Sequence, residues 1–159
     1  GQKKYSQSDM IGLNSRIGSL QAAILNKKIN TFGNKIKKQV KTYKSYQNFF
    51  EKNSISGFPK YKLGDSVSQF NILVKKRSLL INKLKKNKID YKIYYPKPLY
   101  KQFKQKINKK IFLNNTENIC KKIISLPFND HSYERHLKVL HILQNIINKN
   151  KDYFFEKKT

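Results

Sequence analysis

From Leu20 to Phe50 the apolar side chains fall at positions 20, 24, 25, 29, 32, 36, 40, 43, 46 and 50. Steps of three to five put them on one face of an α-helix, which returns to the same side every 3.6 residues. This is the longest periodic stretch in the chain, and the other elements have to be arranged around it. Gly33 interrupts the ladder at a cost of up to about 1 kcal/mol relative to alanine. A helix of this length reads as a spine joining two domains or as a long surface helix of a self-contained one, and spacing alone leaves both open.

A small polar loop, Gly12-Leu13-Asn14-Ser15-Arg16, leads into that helix. A helix start carries unpaired backbone N–H groups and the positive end of the dipole, which suits an anion. Arg16 adds a planar, permanently charged fork for a carboxylate or phosphate. On local chemistry alone the plainer reading is that Asn14 or Ser19 caps the helix and Arg16 is a surface residue.

The rest of the chain resolves into shorter pieces. Residues 1–10 are polar and read as a surface loop. Residues 53–65 hold Ser54, Ser56, Gly57, Pro59 and Gly64, a loop composition. Residues 66–74 alternate, with Val67, Phe70, Ile72 and Val74 on one side of a strand. Residues 75–87 follow as a helix with Leu79, Leu80, Ile81 and Leu84 on its apolar side. A second short strand is expected over 90–95, ending at Pro96, which cannot donate to a ladder. Pro96-Lys97-Pro98 forces an extended turn, and residues 99–107 suggest a short helix. After a loop at 111–115, Asn115 or Thr116 would cap a helix reaching Ile124, which Leu126-Pro127 ends. Asp130 or Ser132 would cap a final helix with Val139, Leu140, Leu143, Ile146 and Ile147 on one face. The resulting partition is a loop over 1–18, a long helix over 19–52, a small domain over 53–148 and a polar tail over 149–159, to which no function is assigned. There is no internal repeat.

Hydrophobic residues make up 38% of the 159 residues and aromatics 13%, enough to fold one domain. The formal net charge of +26 would ordinarily point to nucleic acid or an anionic membrane surface. Here arginine occurs only at 16, 77 and 135, and lysine is spread along the whole length among Asn and Ile. That distribution describes solvated faces rather than one binding stripe, though it will still attract polyanions at low salt. No nucleic-acid-binding sequence pattern is present, and most aromatics fall on apolar faces. Cys120 is the single cysteine, so there is no disulfide framework and no thiol metal site; its helical surroundings make it a small core residue. His131, His136 and His141 are five apart, which rotates them off one helix face where metal pairs prefer four, so no metal is expected. No apolar run has transmembrane length and no signal-peptide pattern is present, so the expectation is a soluble, cytoplasmic protein without a membrane partner.

Three blocks carry a resemblance. Gly12-Leu13-Asn14-Ser15-Arg16 with Leu20-Gln21-Ala22-Ala23 is similar to the G-x-N-x-R-x-D-x-x-Q-A-A signature of the DegT/DnrJ/StrS family. Tyr94-Tyr95-Pro96-Lys97-Pro98-Leu99-Tyr100-Lys101-Gln102 resembles that family's H-Y-P-x-P-L-H-x-Q, and Ile124-Ser125-Leu126-Pro127-Phe128 its L-S-L-P-M segment. The blocks occur in the family order, and the resemblance runs from Gly1 to about Asn148. Ser66 to Ile72 also resembles a strand of a subgroup that includes enzymes aminating a 3-keto uronic-acid sugar nucleotide.

These are pyridoxal-phosphate-dependent sugar aminotransferases, and the resemblance covers only their C-terminal part. It implies an α+β small C-terminal domain, with long linking helix, short sheet and flanking helices, of an α/β fold-type I enzyme. The chain lacks an initial Met and its first residues match the middle of a family protein, so it reads as a fragment. The family's Schiff-base lysine and pyridinium carboxylate lie upstream of the Asn–Arg motif, and no residue here matches them, so the chain alone should not transaminate. By the resemblance, Asn14 would contact the cofactor phosphate of the neighbouring subunit of a homodimer. Arg16 would bind a substrate carboxylate or diphosphate, and Tyr94 and Tyr95 would line that neighbour's pocket. The implied substrate is a nucleotide sugar and the implied amino donor glutamate. Three positions depart from the pattern: Gly18 stands for Asp, and Tyr94 and Tyr100 each stand for His. The competing readings are a basic nucleic-acid-binding module, motivated by the charge, and an orphaned remnant domain.

Overall fold

A computed structural model describes residues 2–4, 7–8, 17–102, 113–128 and 133–157. The chain divides into two compact units, Gly1–Asn34 and Lys35–Thr159, with the boundary inside the long helix.

In the first unit, β1 (Gln2–Lys4) pairs antiparallel with β2 (Gln7–Ser8), a short ribbon where the sequence suggests only loop. The helix expected over 19–52 is a single element, α1 (Ser19–Lys52), and it runs through Gly33 without a break. Its start differs from the expectation. Ser19 is the first helical residue, not the cap. The Gly18 carbonyl accepts from Ala22 N–H at 2.9 Å, and Gly18 N–H donates to Gln21 Oε1 at 3.2 Å. A glutamine reaching back to the amide before the helix is half of a capping box, so Gln21 serves the end that Gly18, lacking a side-chain oxygen, leaves open. Asn14 lies outside the described residues. On the first half of α1 the apolar ladder stays in solvent: Leu20, Ile24, Leu25, Ile29 and Phe32 are all exposed, as is Ile17 just before the helix.

The second unit is built on the other end of that ladder. Tyr43, Tyr46 and Phe50, a turn apart along α1, are buried. They meet β4 (Phe70–Leu73), whose alternation turns Phe70 and Ile72 into the core. Tyr46 stacks on Phe70 with ring centroids 4.8 Å apart, and Tyr43 and Phe50 flank the same ring at 4.9 and 5.8 Å. Such pairs add roughly 0.5–1.5 kcal/mol each beyond the apolar area they bury. Next comes α2 (Arg77–Lys86), which buries Leu80 and Leu84; Leu79, expected on the same side, is exposed.

The largest departure lies at Ile123. The helix expected to run to Ile124 is α3 (Asn114–Lys122), and Ile123–Leu126 is instead a strand, β5, antiparallel to β4 with Phe70 opposite Leu126 and Ile72 opposite Ile124. Two adjacent β-branched residues before a proline favour extension over a further helical turn. Arg77 closes the helix end by donating from Nη1 to the carbonyls of Cys120 (2.6 Å) and Ile123 (3.3 Å), a favourable place for a cation. At its start α3 follows Leu113 without a side-chain cap, so Asn115 and Thr116 lie inside the first turn. Cys120 is buried, as its surroundings suggest.

The strand expected over 90–95 shrinks to one bridge, in which Lys92 and Ser125 exchange backbone hydrogen bonds at 3.0 and 2.8 Å. Pro96 and Pro98 beyond it cannot extend a ladder. Leu99–Lys101 is a single 3-10 turn, and most of the helix expected over 99–107 lies outside the described residues, as do Asp130 and Ser132. The last helix, α4 (Tyr133–Lys149), buries Leu143, Ile146 and Ile147 and half-buries Val139 and Leu140.

The polar tail is a second correction. After a 3-10 turn at Lys151–Tyr153, β6 (Phe155–Glu156) pairs antiparallel with β3 (Ile55–Ser56), which itself sits in the stretch expected to be loop. Phe154 is 1% exposed and bridges to Val74, and Lys75 N–H donates to the Tyr153 carbonyl at 2.8 Å. Gly57 holds the approach of β3 to β4. It has φ +94°, its carbonyl accepts from Leu73 N–H at 2.7 Å, and a Cβ there would stand 3.0 Å from the Leu73 carbonyl oxygen.

Candidate functional site

Of the four residues singled out from the sequence, Tyr94 and Tyr95 fall within the described structure; Asn14 and Arg16 lie outside the described residues. The two tyrosines are consecutive and joined by a cis peptide bond, with their rings edge to face at 5.7 Å. Both remain in solvent, Tyr94 at 40% and Tyr95 at 65% exposure. They form one side of an open cleft of about 660 Å³.

The other walls come from three separate segments. Ser68 and Gln69 precede β4, Tyr91 precedes Lys92, which makes the bridge to β5, and Ser125 to Phe128 close the far side. The β4–β5 pairing brings them together, and side chains fix the result. Ser125, buried in the middle of β5, donates from Oγ to Asn71 Oδ1 at 2.5 Å. Tyr46 donates its hydroxyl to the Pro127 carbonyl at 2.8 Å, tying α1 to the lip of the cleft; burial drives its phenol pKa far above the usual range, so it stays a donor. Among the described residues the cleft thus offers hydroxyls, an amide, four aromatic rings from Tyr91, Tyr94, Tyr95 and Phe128, one ammonium from Lys92 and one carboxylate from Asp90. These groups suit a polyhydroxylated ligand with an apolar face. Sequence reasoning reached the tyrosines but missed Ser68, Gln69 and Lys92. Ser68, Gln69 and Ser125 lay inside segments that carry the resemblance and were not assigned a place in the site.

Tyr100, at the second position where the pattern carries His, is used differently. Its hydroxyl donates to Glu117 Oε1 at 2.5 Å, and Lys101 Nζ pairs with the same carboxylate at 2.7 Å. The hydrogen bonds from Lys101 and Tyr100 hold the Glu117 carboxyl below its ordinary range. This cluster ties the 99–102 turn to α3.

His136, on α4, is half-buried with Nε2 2.9 Å from Ser45 Oγ and its ring edge-on to Tyr46 at 4.6 Å. Burial lowers its pKa. The unfolded chain, with histidine near ~6.5, therefore binds its proton before the folded chain does. Stability is intact above that pH and falls as pH drops through it toward the lowered folded value. Thermal unfolding midpoints are expected to decline from pH 7 to pH 5, and more shallowly in His136→Gln; equal slopes would exclude His136 as the source. Among the described residues no three His, Cys, Asp or Glu side chains are grouped to hold a metal ion, and no helix is long and apolar enough to cross a membrane.

The sequence model of the DegT/DnrJ/EryC1/StrS aminotransferase family matches residues 1–144. Three solved structures are similar over nearly all of the chain. A DegT DnrJ EryC1 StrS aminotransferase from Brucella abortus superposes with a TM-score of 0.70 at 24% identity, covering 91% of this chain and 39% of that one. DesV of S. venezuelae, solved with a ketimine intermediate, gives 0.69 at 19% identity, covering 91% and 40%. PseC of Helicobacter pylori, an aminotransferase involved in the biosynthesis of pseudoaminic acid, gives 0.68 at 22% identity, covering 90% and 41%. At these identities the likeness shows a shared fold, the mixed helix and short-sheet arrangement described above. The chain spans about two fifths of each of these structures. No curated protein matches it.

Proposed function

The chain belongs to the DegT/DnrJ/EryC1/StrS aminotransferase family, and from that premise we propose that it is the C-terminal part of a fold-type I, pyridoxal-phosphate-dependent enzyme that aminates a keto sugar nucleotide. The observation that carries the reading is the family match over residues 1–144. In this reading the enzyme is a cytoplasmic homodimer in cell-surface sugar biosynthesis, with glutamate as donor. The long helix links the large domain to this one.

The part's contribution is to a site completed by another subunit. Asn14 contacts the cofactor phosphate and Arg16 a carboxylate or diphosphate of the substrate. The Tyr94–Tyr95 cleft supports such a role: a shallow wall of exposed aromatic rings, hydroxyls and an amide suits a sugar, whose ring carbons pack on an aromatic face while its hydroxyls exchange hydrogen bonds. The exposed apolar side chains of α1 from Leu20 to Phe32 support it too, since apolar side chains repeated along one helix face ordinarily meet a partner.

The described residues do not fit a complete pyridoxal-phosphate centre. That centre needs a lysine sequestered from water opposite a carboxylate. Among the described residues, the lysine and carboxylate in the cleft, Lys92 and Asp90, are two residues apart and both exposed. The cofactor supplies an electron sink for amino transfer when bound; this chain supplies orientation and charge around it. The expected result is amino transfer from glutamate to a keto sugar nucleotide by the complete enzyme and none by residues 1–159 alone. Turnover by this chain, or a complete enzyme inert toward every keto sugar nucleotide tried, would overturn the assignment.

The net charge of +26 motivates the second reading, a nucleic-acid-binding module. A dispersed lysine excess predicts binding that collapses steeply with salt and has no preference for sequence or strand form. Titration with duplex and single-stranded DNA at 50 and 200 mM salt is expected to show a loss of roughly 10³-fold or more. Binding that survives 200 mM salt with a clear preference would favour the module instead.

A further inference from the structure

A second cleft, of about 460 Å³, opens between α1, the turn after α2, Pro127 and α4. It shares only Asp90 and Pro127 with the Tyr94–Tyr95 cleft. Its inner surface is apolar: Tyr46 and Ile89 are buried, and Val139 and Ile142 are half-buried. Three of the polar side chains around that surface are already engaged, and half-buried Thr42 adds a single hydroxyl. Tyr46 gives its hydroxyl to Pro127, His136 shares Nε2 with Ser45, and Asn87 donates from Nδ2 to the Lys83 carbonyl at 2.8 Å. The interior therefore favours an apolar body.

The rim is different. Among the described residues, Lys88, Arg135 and Lys138 line it with one carboxylate, Asp90. Among the described residues, neither Lys88 nor Lys138 has a carboxylate within ion-pairing distance. Lys88 also holds φ +55°, in the left-handed region. Glycine or asparagine would occupy that helix-ending position at less cost, and the lysine puts a cation there. Two unpaired ammonium groups with a guanidinium nearby match a dianion better than a single negative charge, and a phosphomonoester carries close to two charges at pH 7.

We propose that this cleft binds a small organic phosphate whose planar, apolar body lies against Tyr46, Ile89, Val139 and Ile142 and whose phosphate meets Lys88 and Lys138. The six residues named are not among those lining the Tyr94–Tyr95 cleft, so the proposal does not depend on the aminotransferase reading.

The test is an NMR titration of the chain with phenyl phosphate in 0.15 M NaCl, with inorganic phosphate and benzyl alcohol supplying the head and the body separately. Phenyl phosphate should saturate and move the amide signals of residues 87–90 and 135–142, with either half at least tenfold weaker. Lys138→Glu should weaken phenyl phosphate at least tenfold. Lys62→Glu, an exposed change of the same net charge outside the cleft, should leave it within twofold. Equal affinities for phenyl phosphate and inorganic phosphate, shifts scattered over the lysine-rich surface, or equal losses in the two variants would each overturn the proposal.

Discussion

Deleting residues 151–159 is expected to abolish cooperative unfolding of the Lys35–Thr159 unit. The deletion removes two core side chains, Tyr153 and Phe154, from positions 8% and 1% exposed. Phe154 packs on Phe50 at 6.2 Å between ring centroids, so its loss opens a cavity beside the aromatic cluster that anchors α1. The deletion also strips β3 of its partner strand and orphans the Lys75 amide. Removing one buried aromatic ring costs about 3–5 kcal/mol, and two rings together with a ribbon approach the whole stability of an ordinary domain, roughly 5–15 kcal/mol. Phe154→Ala alone should cost about 3–5 kcal/mol in denaturant titrations followed by circular dichroism. Asp152→Asn, which breaks only the exposed pair with Lys76, should change little. A truncated chain that unfolds at the parent's midpoint would place residues 151–159 outside the folding unit.

That segment also shows where reading the sequence stops working. α1 was legible because ten apolar positions keep helical spacing over thirty residues, and β4 because Phe70, Ile72 and Val74 alternate cleanly. The Tyr153-Phe154-Phe155 run carries neither period. It sits among Lys149, Lys151, Lys157 and Lys158, so composition hides a strand whose only evidence is its long-range partner, Ile55–Ser56. β5 failed for the related reason that four residues cannot establish a period, and Ile123-Ile124 continue the apolar face of α3 as well as they begin a strand. The N-cap of α1 was misplaced because Gly18 has no capping side chain; the signal was Gln21, three residues on. In the candidate site, Tyr94 and Tyr95 stood out because they share one motif. Ser68, Gln69 and Ser125 are brought to them by the β4–β5 register, which no local pattern encodes.

In the complete enzyme, Arg16→Ala is expected to lower kcat/KM by roughly 30-fold to several thousand-fold, the equivalent of about 2–5 kcal/mol for a charged partner left unpaired in a desolvated site. Arg16→Lys should recover part of that loss, because lysine restores the charge but not the planar fork that holds a carboxylate or diphosphate through two parallel hydrogen bonds. Tyr95→Phe removes a single hydroxyl and should cost about tenfold or less. Activity of Arg16→Ala within twofold of the parent would remove Arg16 from the site. A mixing experiment then decides which subunit Arg16 serves. An Arg16→Ala protomer keeps its cofactor-anchoring lysine, and a protomer with that lysine replaced keeps Arg16. If Arg16 reaches across the dimer, each mixed dimer holds one intact site and one doubly damaged one. Random equal reassortment makes half the dimers mixed, so activity should rise to about a quarter of the parent level. If Arg16 serves its own subunit, every site in the mixture lacks one of the two residues, and activity stays at the average of the two inactive parents. Recovery near a quarter would therefore assign this chain's loop to the neighbouring active site, by a measurement that depends on neither the sugar nor the donor.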